Sequence, residues 1–208
     1  MGVFTKKELL RLRLSILTTL KRLVVRCGNM PWQISERRRT VPAIQKITPC
    51  LWFDNQAEEA AHFYTAIFSN SKILNLVRYG EATHEAYHDR AGTVMVVSFE
   101  LDGHQFTALN GGPFFKFTEA ISLQIHCETQ EEVDHFWDRL SEGGDEHAQQ
   151  CGWLKDRYGL SWQVVPTVLL EMLQDSDAEK VRRATEAMLQ MKKLDIAALQ
   201  RAFEASGE

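Results

Sequence analysis

Two segments of the chain repeat one another at a fixed offset of 73 residues. Residues 57–67 read AEEAAHFYTAI and residues 130–140 read QEEVDHFWDRL, with four identities in eleven positions, among them Glu58 with Glu131. An internal repeat restricts the possible folds more than any other sequence feature. Two copies are too few for a solenoid. The pattern therefore predicts one pseudo-symmetric domain that is built from two related modules.

Each copy of the repeat follows a strand-like run, ITPCLWF at 47–53 and AISLQIH at 120–126. In the first half, Asp102-Gly103 is a strong two-residue hairpin signal that joins the β-branched run 92–101 to the strand 104–110. The predicted fold class is therefore α+β, with each half containing one strand, one helix and then two or three antiparallel strands.

The remaining predicted elements follow from hydrophobic periodicity and capping residues. The first half adds a helix at 56–68, capped by Asp54 or Asn55, a strand at 72–79 and a polar loop at 80–90. The second half adds a helix to residue 141, capped by Thr129, strands at 151–155 and 160–165, and C-terminal helices at 178–191 and 195–205.

The N-terminal region differs in charge from the rest of the chain. Residues 1–46 hold eleven Lys/Arg against two Asp/Glu, whereas the whole chain has a net charge of −4. The arm could form a basic amphipathic helix at 9–25. The longest uncharged run within that helix is seven residues, far short of the roughly 20 needed to span a bilayer. A presequence, a membrane-surface helix, or a variable extension with Met30 as an internal start are the alternatives. We expect residues 1–43 to be an extension of the domain at 44–203.

Several classes of site lack their sequence signals. The four cysteines are widely spaced and form no CxxC, which favours free thiols in a reducing compartment over a zinc ribbon. The chain has neither GxGxxG nor GxxxxGK[ST], so no phosphate-cradling loop is indicated, and it has no GxSxG elbow. The acidic net charge of the chain after its basic arm also argues against nucleic-acid binding.

Four segments together resemble one protein family. They are ITPCLWFDNQAEEAAHFY (47–64), FELDGHQFTALNGGP (99–113), ISLQIHCETQEEVDHFW (121–137) and CGWLKDRYGLSWQVVP (151–166). With the tail AMLQMKKLDIAALQRAF they are similar to the PhnB-like branch of the vicinal-oxygen-chelate (glyoxalase/bleomycin-resistance) superfamily. Its domains are often labelled 3-demethylubiquinone-9 3-methyltransferase.

The resemblance implies a specific architecture. Two βαβββ modules, at about 44–113 and 118–166, would form a U-shaped mixed sheet around a cleft, followed by C-terminal helices at 168–203. It also implies pairing into a homodimer, for which the terminal helices offer apolar residues, although these residues could equally pack on their own sheet. The absence of a methyl-donor motif puts the literal methyltransferase label in doubt.

Metal-dependent members of the superfamily hold a divalent ion with His and Glu on the first and last strands of both modules. The corresponding strands offer no imidazole or carboxylate at these four positions. The residues present are Thr48, Pro49, Cys50 and Trp52 on the first strand, Thr107 and Asn110 on the last strand of module one, Ala120, Ser122 and Gln124 on the first strand of module two, and Gln163 on its last strand. Neutral hydroxyl and amide groups are weak ligands for transition metals. We therefore expect no catalytic metal in the usual place, and no other cofactor.

The histidines offer one other candidate for metal binding. His84 and His88 have the i,i+4 spacing of a zinc pair, but they lie in a loop-like segment without a third ligand in view. His62 and His135 occupy matching helix positions, and His104 follows the hairpin turn. We interpret these three as surface residues.

Strand alternation selects five candidate ligand-binding residues for the concave face of the sheet. Aromatic side chains beside amides suit a small, partly polar organic ligand, although the two tryptophans could equally belong to the core. The candidates are Trp52, Asn110, Gln124, Trp153 and Gln163.

The sequence thus favours a small-molecule-binding protein without the usual metal quartet. One alternative is an enzyme, a lyase, isomerase or transferase acting on a small oxygenated substrate, whose catalytic residues remain unknown. Another is a binding protein that sequesters a drug or metabolite. The expected partners are a small organic molecule and a second copy of the chain, with membrane contact only through the basic arm and a cytoplasmic location.

Overall fold

The structure is a computed structural model that describes residues 45–80 and 90–205. The described residues belong to one compact unit. The predicted arm helix, most of the predicted polar loop at 80–90, and the His84–His88 pair lie outside the described residues.

The first module forms a four-stranded mixed sheet with one helix. Its elements are β1 (Cys50–Phe53), α1 (Ala57–Thr65), β2 (Lys72–Arg78), β3 (Val94–Leu101) and β4 (His104–Asn110). The strand order is β1-β4-β3-β2, in which β1 runs parallel to β4 and the other pairs are antiparallel.

The second module repeats this plan with one strand fewer. Its elements are β5 (Ser122–Cys127), α2 (Gln130–Ser141), a short 3₁₀ turn (Glu146–Ala148), β6 (Trp153–Lys155) and β7 (Ser161–Pro166). The order is β5-β7-β6, with β5 parallel to β7. In the described residues the strands thus form two separate sheets, and the α+β class with two related modules is confirmed.

Three helices complete the described chain. They are α3 (Thr167–Met172), α4 (Ala178–Leu189) and α5 (Ile196–Glu204). Helix α3 falls within the range 168–203 that was expected to hold the C-terminal helices, although hydrophobic periodicity placed only the two later helices. Side chains of Asp177 and Asp195 cap α4 and α5, and the helices pack around Leu169, Leu194 and Leu199 in a second core. Within residues 45–80 and 90–205, no helix is long and apolar enough to span a membrane.

Helix α1 lies between the two sheets. The buried Tyr64 ring is 6.4 Å from Phe99 of β3 and 5.5 Å from Trp162 of β7. Just after α1, Phe68 stacks 5.5 Å from Trp162 and lies 5.0 Å from Phe136 of α2. One side of each sheet therefore faces a shared core, and the other side of each sheet faces away from that core.

We call these other sides the outer faces. On the first sheet, register and alternation assign Cys50, Trp52, Ser98, Thr107 and Leu109 to the outer face. On the second sheet, they assign Ser122, Gln124, His126, Trp153, Ser161 and Gln163.

A buried carboxylate connects the two modules. Asp156 is 2% exposed, and its Oδ2 accepts hydrogen bonds from the Tyr64 hydroxyl at 2.7 Å and from Trp162 Nε1 at 2.8 Å. Its Oδ1 accepts bonds from the backbone N–H groups of Tyr158 and Leu160. Burial raises the pKa of Asp156, and the four hydrogen bonds oppose that rise by stabilising the ionised form.

Candidate functional site

A row of hydrogen-bonded amides crosses the outer face of the second sheet. Gln124 of β5 lies opposite Gln163 of β7, which lies opposite Trp153 of β6. Gln124 Nε2 donates to Gln163 Oε1 at 3.0 Å, and Gln163 Nε2 donates to Ser122 Oγ at 2.7 Å. Three of the five predicted ligand-binding residues therefore lie together, and we call Ser122, Gln124 and Gln163 the amide row.

The amide row retains hydrogen-bonding capacity. A primary amide has two donor hydrogens and an acceptor oxygen with two lone pairs, so the bonds within the row use only part of each group. Gln124 is exposed, while Gln163 and Trp153 are half-buried. A ligand that lies on this face can therefore exchange hydrogen bonds with amides while it contacts an indole ring.

Two polar groups flank the amide row. His126, two residues along β5 from Gln124, is exposed on the same face. Ser161, opposite Ser122, is 1% exposed, and its Oγ has no hydrogen-bond partner among the described residues. An unsatisfied buried hydroxyl costs folding free energy, and it marks a place where a further polar atom would be favourable.

Trp52 lies at the end of the first sheet, on its outer face. Its indole Nε1 donates to the Gly112 carbonyl at 2.8 Å, and its ring meets Phe115 edge-on at 4.8 Å. A Cβ built on Gly111 would come within 2.1 Å of the Trp52 ring, so only glycine fits there beside the indole. Trp52 is half-buried, which leaves part of its ring accessible.

The sequence predicted that Asn110 lies on the same face of the sheet as Trp52, and that expectation is wrong. Asn110 lies opposite Phe53, the neighbour of Trp52, so strand alternation turns its side chain toward α1. Its Oδ1 accepts a bond from Ala57 N–H at 2.8 Å, and its Nδ2 donates to Val94 O at 3.0 Å. Asn110 is 6% exposed and has a structural role there, and ligand binding by Asn110 stays a prediction.

The same contacts correct the predicted cap of the first helix. The residue before α1 is Gln56, which makes no side-chain cap, and neither Asp54 nor Asn55 replaces it. The amide oxygen of Asn110, from the far end of the module, accepts the bond from Ala57 instead. A capping partner 53 residues away along the chain cannot be inferred from local sequence.

Within one chain, Trp52 and the amide row lie on the outer faces of two different sheets. The sequence placed them around a single cleft, and a single copy of the described chain does not bring them together. It also missed Ser122 as the anchor of the amide row, because that role depends on the register between β5 and β7.

No group of three or more His, Cys, Asp or Glu residues in the described parts of the chain is arranged to hold a metal ion. Cys50, Thr107, Gln124 and Gln163 have the strand positions expected from the sequence. Their thiol, hydroxyl and amide groups form a donor set unlike the imidazole and carboxylate groups that bind most catalytic divalent ions. The lack of a catalytic metal remains a prediction.

The paired modules, each with a helix packed on one side of its sheet, define an α+β protein that is built from two related modules. Within that class, the family model described as 3-demethylubiquinone-9 3-methyltransferase matches residues 45–165. The chain belongs to this PhnB family, as the sequence motifs indicated.

The chain is also similar to several solved structures. A PhnB protein from Bacillus cereus, described as a 3-demethylubiquinone-9 3-methyltransferase, is 37% identical with a TM-score of 0.52, over 59% of this chain and 100% of that one. A protein from Staphylococcus aureus is 29% identical with a TM-score of 0.27, over 58% and 95% of the two chains. A glyoxylase/bleomycin resistance protein/dioxygenase domain from Frankia sp. EAN1pec is 15% identical with a TM-score of 0.40, over 60% and 93%. No curated protein sequence gives a significant match.

Proposed function

We propose that this protein binds a small, partly polar organic molecule on the outer face of its second sheet. The observation that carries this proposal is the amide row beside Trp153. Neutral amides recognise carbonyl and hydroxyl groups by direct hydrogen bonds and do not require a charged ligand. The ligand class is therefore an oxygenated organic molecule with an apolar portion.

A second copy of the chain would complete this site. The strands β1 and β5 are both sheet edges, so each has a side without a sheet partner among the described strands. Large apolar residues precede both edges, since Ile47 is 86% exposed and Ile121 is 73% exposed. If β1 of one copy lies beside β5 of the other, two sheets join and their outer faces converge. Trp52 of one copy then faces the amide row of its partner.

The state of the cysteines supports a cytoplasmic location. The described cysteines Cys50, Cys127 and Cys151 are all free thiols, which is the usual state in a reducing compartment.

A thermal-shift screen of small oxygenated compounds tests the ligand. A compound present at 100 times its Kd stabilises a protein by about 2.7 kcal/mol, which is readily measured. The variants Gln163→Ala and Gln124→Ala should remove most of that shift, while Gln200→Ala, an exposed glutamine on α5, should keep it. Equal shifts in all three variants would rule out the amide row as the site.

Mixing two variants tests the contribution of the second copy. Trp52→Leu and Gln163→Ala should each abolish binding alone, because every site in either homodimer is damaged. After the two are unfolded and refolded together, mixed dimers contain one site with both native residues, so part of the binding returns. Failure of the mixture to recover any binding, with both variants folded and dimeric, would place the whole site within one chain.

A further inference from the structure

The segment that links the modules forms one wall of a cavity. Residues 111–121 connect β4 to β5 without a helix or strand, and Phe115 in this linker is 45% exposed. Beneath the linker lies a cavity of about 360 Å³, a volume that accommodates a small organic molecule. None of the residues of the amide row lines this cavity.

Five aromatic residues line the cavity, namely Trp52, Phe53, Phe115, Phe117 and Tyr158. Trp52 meets Phe115 edge-on at 4.8 Å, and Phe53 meets Phe117 at 5.3 Å and Tyr158 at 6.0 Å, also edge-on. These rings come from β1, the linker and the turn before β7, so they surround the cavity from three directions. A further aromatic ring in the cavity can make stacked or edge-on contacts with these side chains.

The charged groups of the cavity favour an anion. Lys116 and Lys155 both line it, and Asp54 is the one carboxylate among the described lining residues. Asp54 is directed to Arg90, whose Nη2 lies 3.7 Å from its Oδ1. The two ammonium groups therefore give the cavity lining a net positive charge.

The linker already supplies a carboxylate to one of these lysines. Glu119 forms an ion pair with Lys155, and the hydrogen bond from Lys155 lowers the pKa of Glu119. The Glu119 side chain is 62% exposed, whereas that of Lys155 is only 23% exposed. The lysine is thus fixed at the cavity, and its carboxylate partner can rotate into solvent at little cost.

We propose that this cavity binds an aromatic carboxylate, whose carboxylate group replaces Glu119 as the partner of Lys155. The ring lies among Trp52, Phe115 and Tyr158, and Lys116 provides a second positive charge at the cavity. Exchange of one carboxylate for another leaves the ion pair intact, so ring burial supplies the net binding free energy. The linker is released from Lys155 when the ligand binds.

Calorimetric titration of the full chain with benzoate tests this proposal. Benzyl alcohol and benzylamine serve as the neutral and cationic analogues of the same ring. We expect benzoate to bind at least about tenfold more tightly than either analogue, a difference of about 1.4 kcal/mol. Equal affinity for benzoate and benzyl alcohol would overturn the proposal.

Three variants identify the groups involved. Glu119→Gln removes the competing carboxylate without altering the cavity wall, so it should tighten benzoate binding several-fold. Lys155→Met should abolish the preference for benzoate over benzyl alcohol. Lys72→Met, which removes a lysine paired with Glu100 on β2, is the matched control and should change nothing. Unchanged benzoate affinity in Glu119→Gln contradicts the proposal even if Lys155→Met does not fold.

This inference and the proposed function can fail separately. Gln163→Ala should leave benzoate binding unaffected, because Gln163 does not line the cavity. Loss of benzoate binding in Gln163→Ala would assign benzoate to the amide row and overturn the inference.

Discussion

The Tyr64 hydroxyl donates a hydrogen bond of 2.7 Å to Oδ2 of Asp156, and this bond joins the helix of the first module to a turn of the second. Both residues are buried, at 0% and 2% exposure. A carboxylate can be buried at acceptable cost when all its lone-pair directions are used, and here two side chains and two backbone N–H groups use them. Relative placement of the modules thus depends on a small polar cluster within an apolar core.

Tyr64→Phe tests that dependence. The variant removes one donor to a buried carboxylate, so the free energy of unfolding should fall by about 1.5–3 kcal/mol. Tyr158→Phe is the matched control, since its hydroxyl donates to Glu59 at the surface and its loss should cost less than about 1 kcal/mol. Urea unfolding of both variants measures the difference. Equal losses in the free energy of unfolding would show that the Tyr64–Asp156 hydrogen bond stabilises the protein no more than the surface bond of Tyr158 does.

The raised pKa of Asp156 predicts a pH dependence of stability. Because burial raises that pKa above 3.8, the folded chain holds this proton more tightly than the unfolded chain does. The stabilising contribution of the Asp156 carboxyl to the free energy of unfolding is therefore complete below pH 3.8. It is lost as the pH rises through the raised pKa. Relative to Asp156→Asn, which cannot titrate, the wild type should lose stability as the pH increases through this range.

Urea unfolding of both proteins from about pH 3 to about pH 7 checks this sign. A difference in free energy of unfolding that stays constant with pH, or that grows in favour of the wild type, would contradict it.

Asn110→Ala should destabilise the first module. The change leaves the Ala57 N–H and the Val94 carbonyl without their partners, and each lost bond to a buried group costs about 1–3 kcal/mol. Asn75→Ala, an exposed asparagine on β2, is the control and should stay within about 0.5 kcal/mol of the wild type. Thermal unfolding distinguishes them, and a fully stable Asn110→Ala would show that its amide is free for a ligand.

Gly111→Ala should displace the Trp52 indole. The added Cβ would lie 2.1 Å from the ring, so Trp52 must leave the Gly112 carbonyl, at a cost of about 1–3 kcal/mol. Gly80→Ala is the control because its Cβ would have no heavy atom of the described residues within 4 Å. Tryptophan fluorescence and urea unfolding measure the two effects, and an unchanged Gly111→Ala spectrum would refute the close packing.

Local patterns predicted most of the fold. The 73-residue repeat identified two modules, and the Asp102-Gly103 turn placed β3 and β4 because its positive φ angles, 45° and 77°, suit these two residues. Thr129 was recognised as the cap of α2, and its side chain accepts a bond from Glu132 N–H. These features depend on residues close in sequence, where propensity and capping act directly.

Features that depend on distant contacts were not predictable in the same way. The face occupied by Asn110 follows from its register with Phe53, and the amide row follows from the register of β5 with β7. The short helix α3 directly after Pro166 is held by packing of Leu169 and Met172 in the second core. Neither register nor packing partners can be inferred from one strand or helix alone.

Because α1 lies between the sheets, the outer faces contribute little to the shared core. Residues such as Gln124 and Ser98 can therefore change during evolution without loss of the folded state. Substitutions on the outer face of one module can then accumulate while the other module keeps its sequence. A duplicated module with its helices inside is thus a scaffold on which two faces can diverge independently.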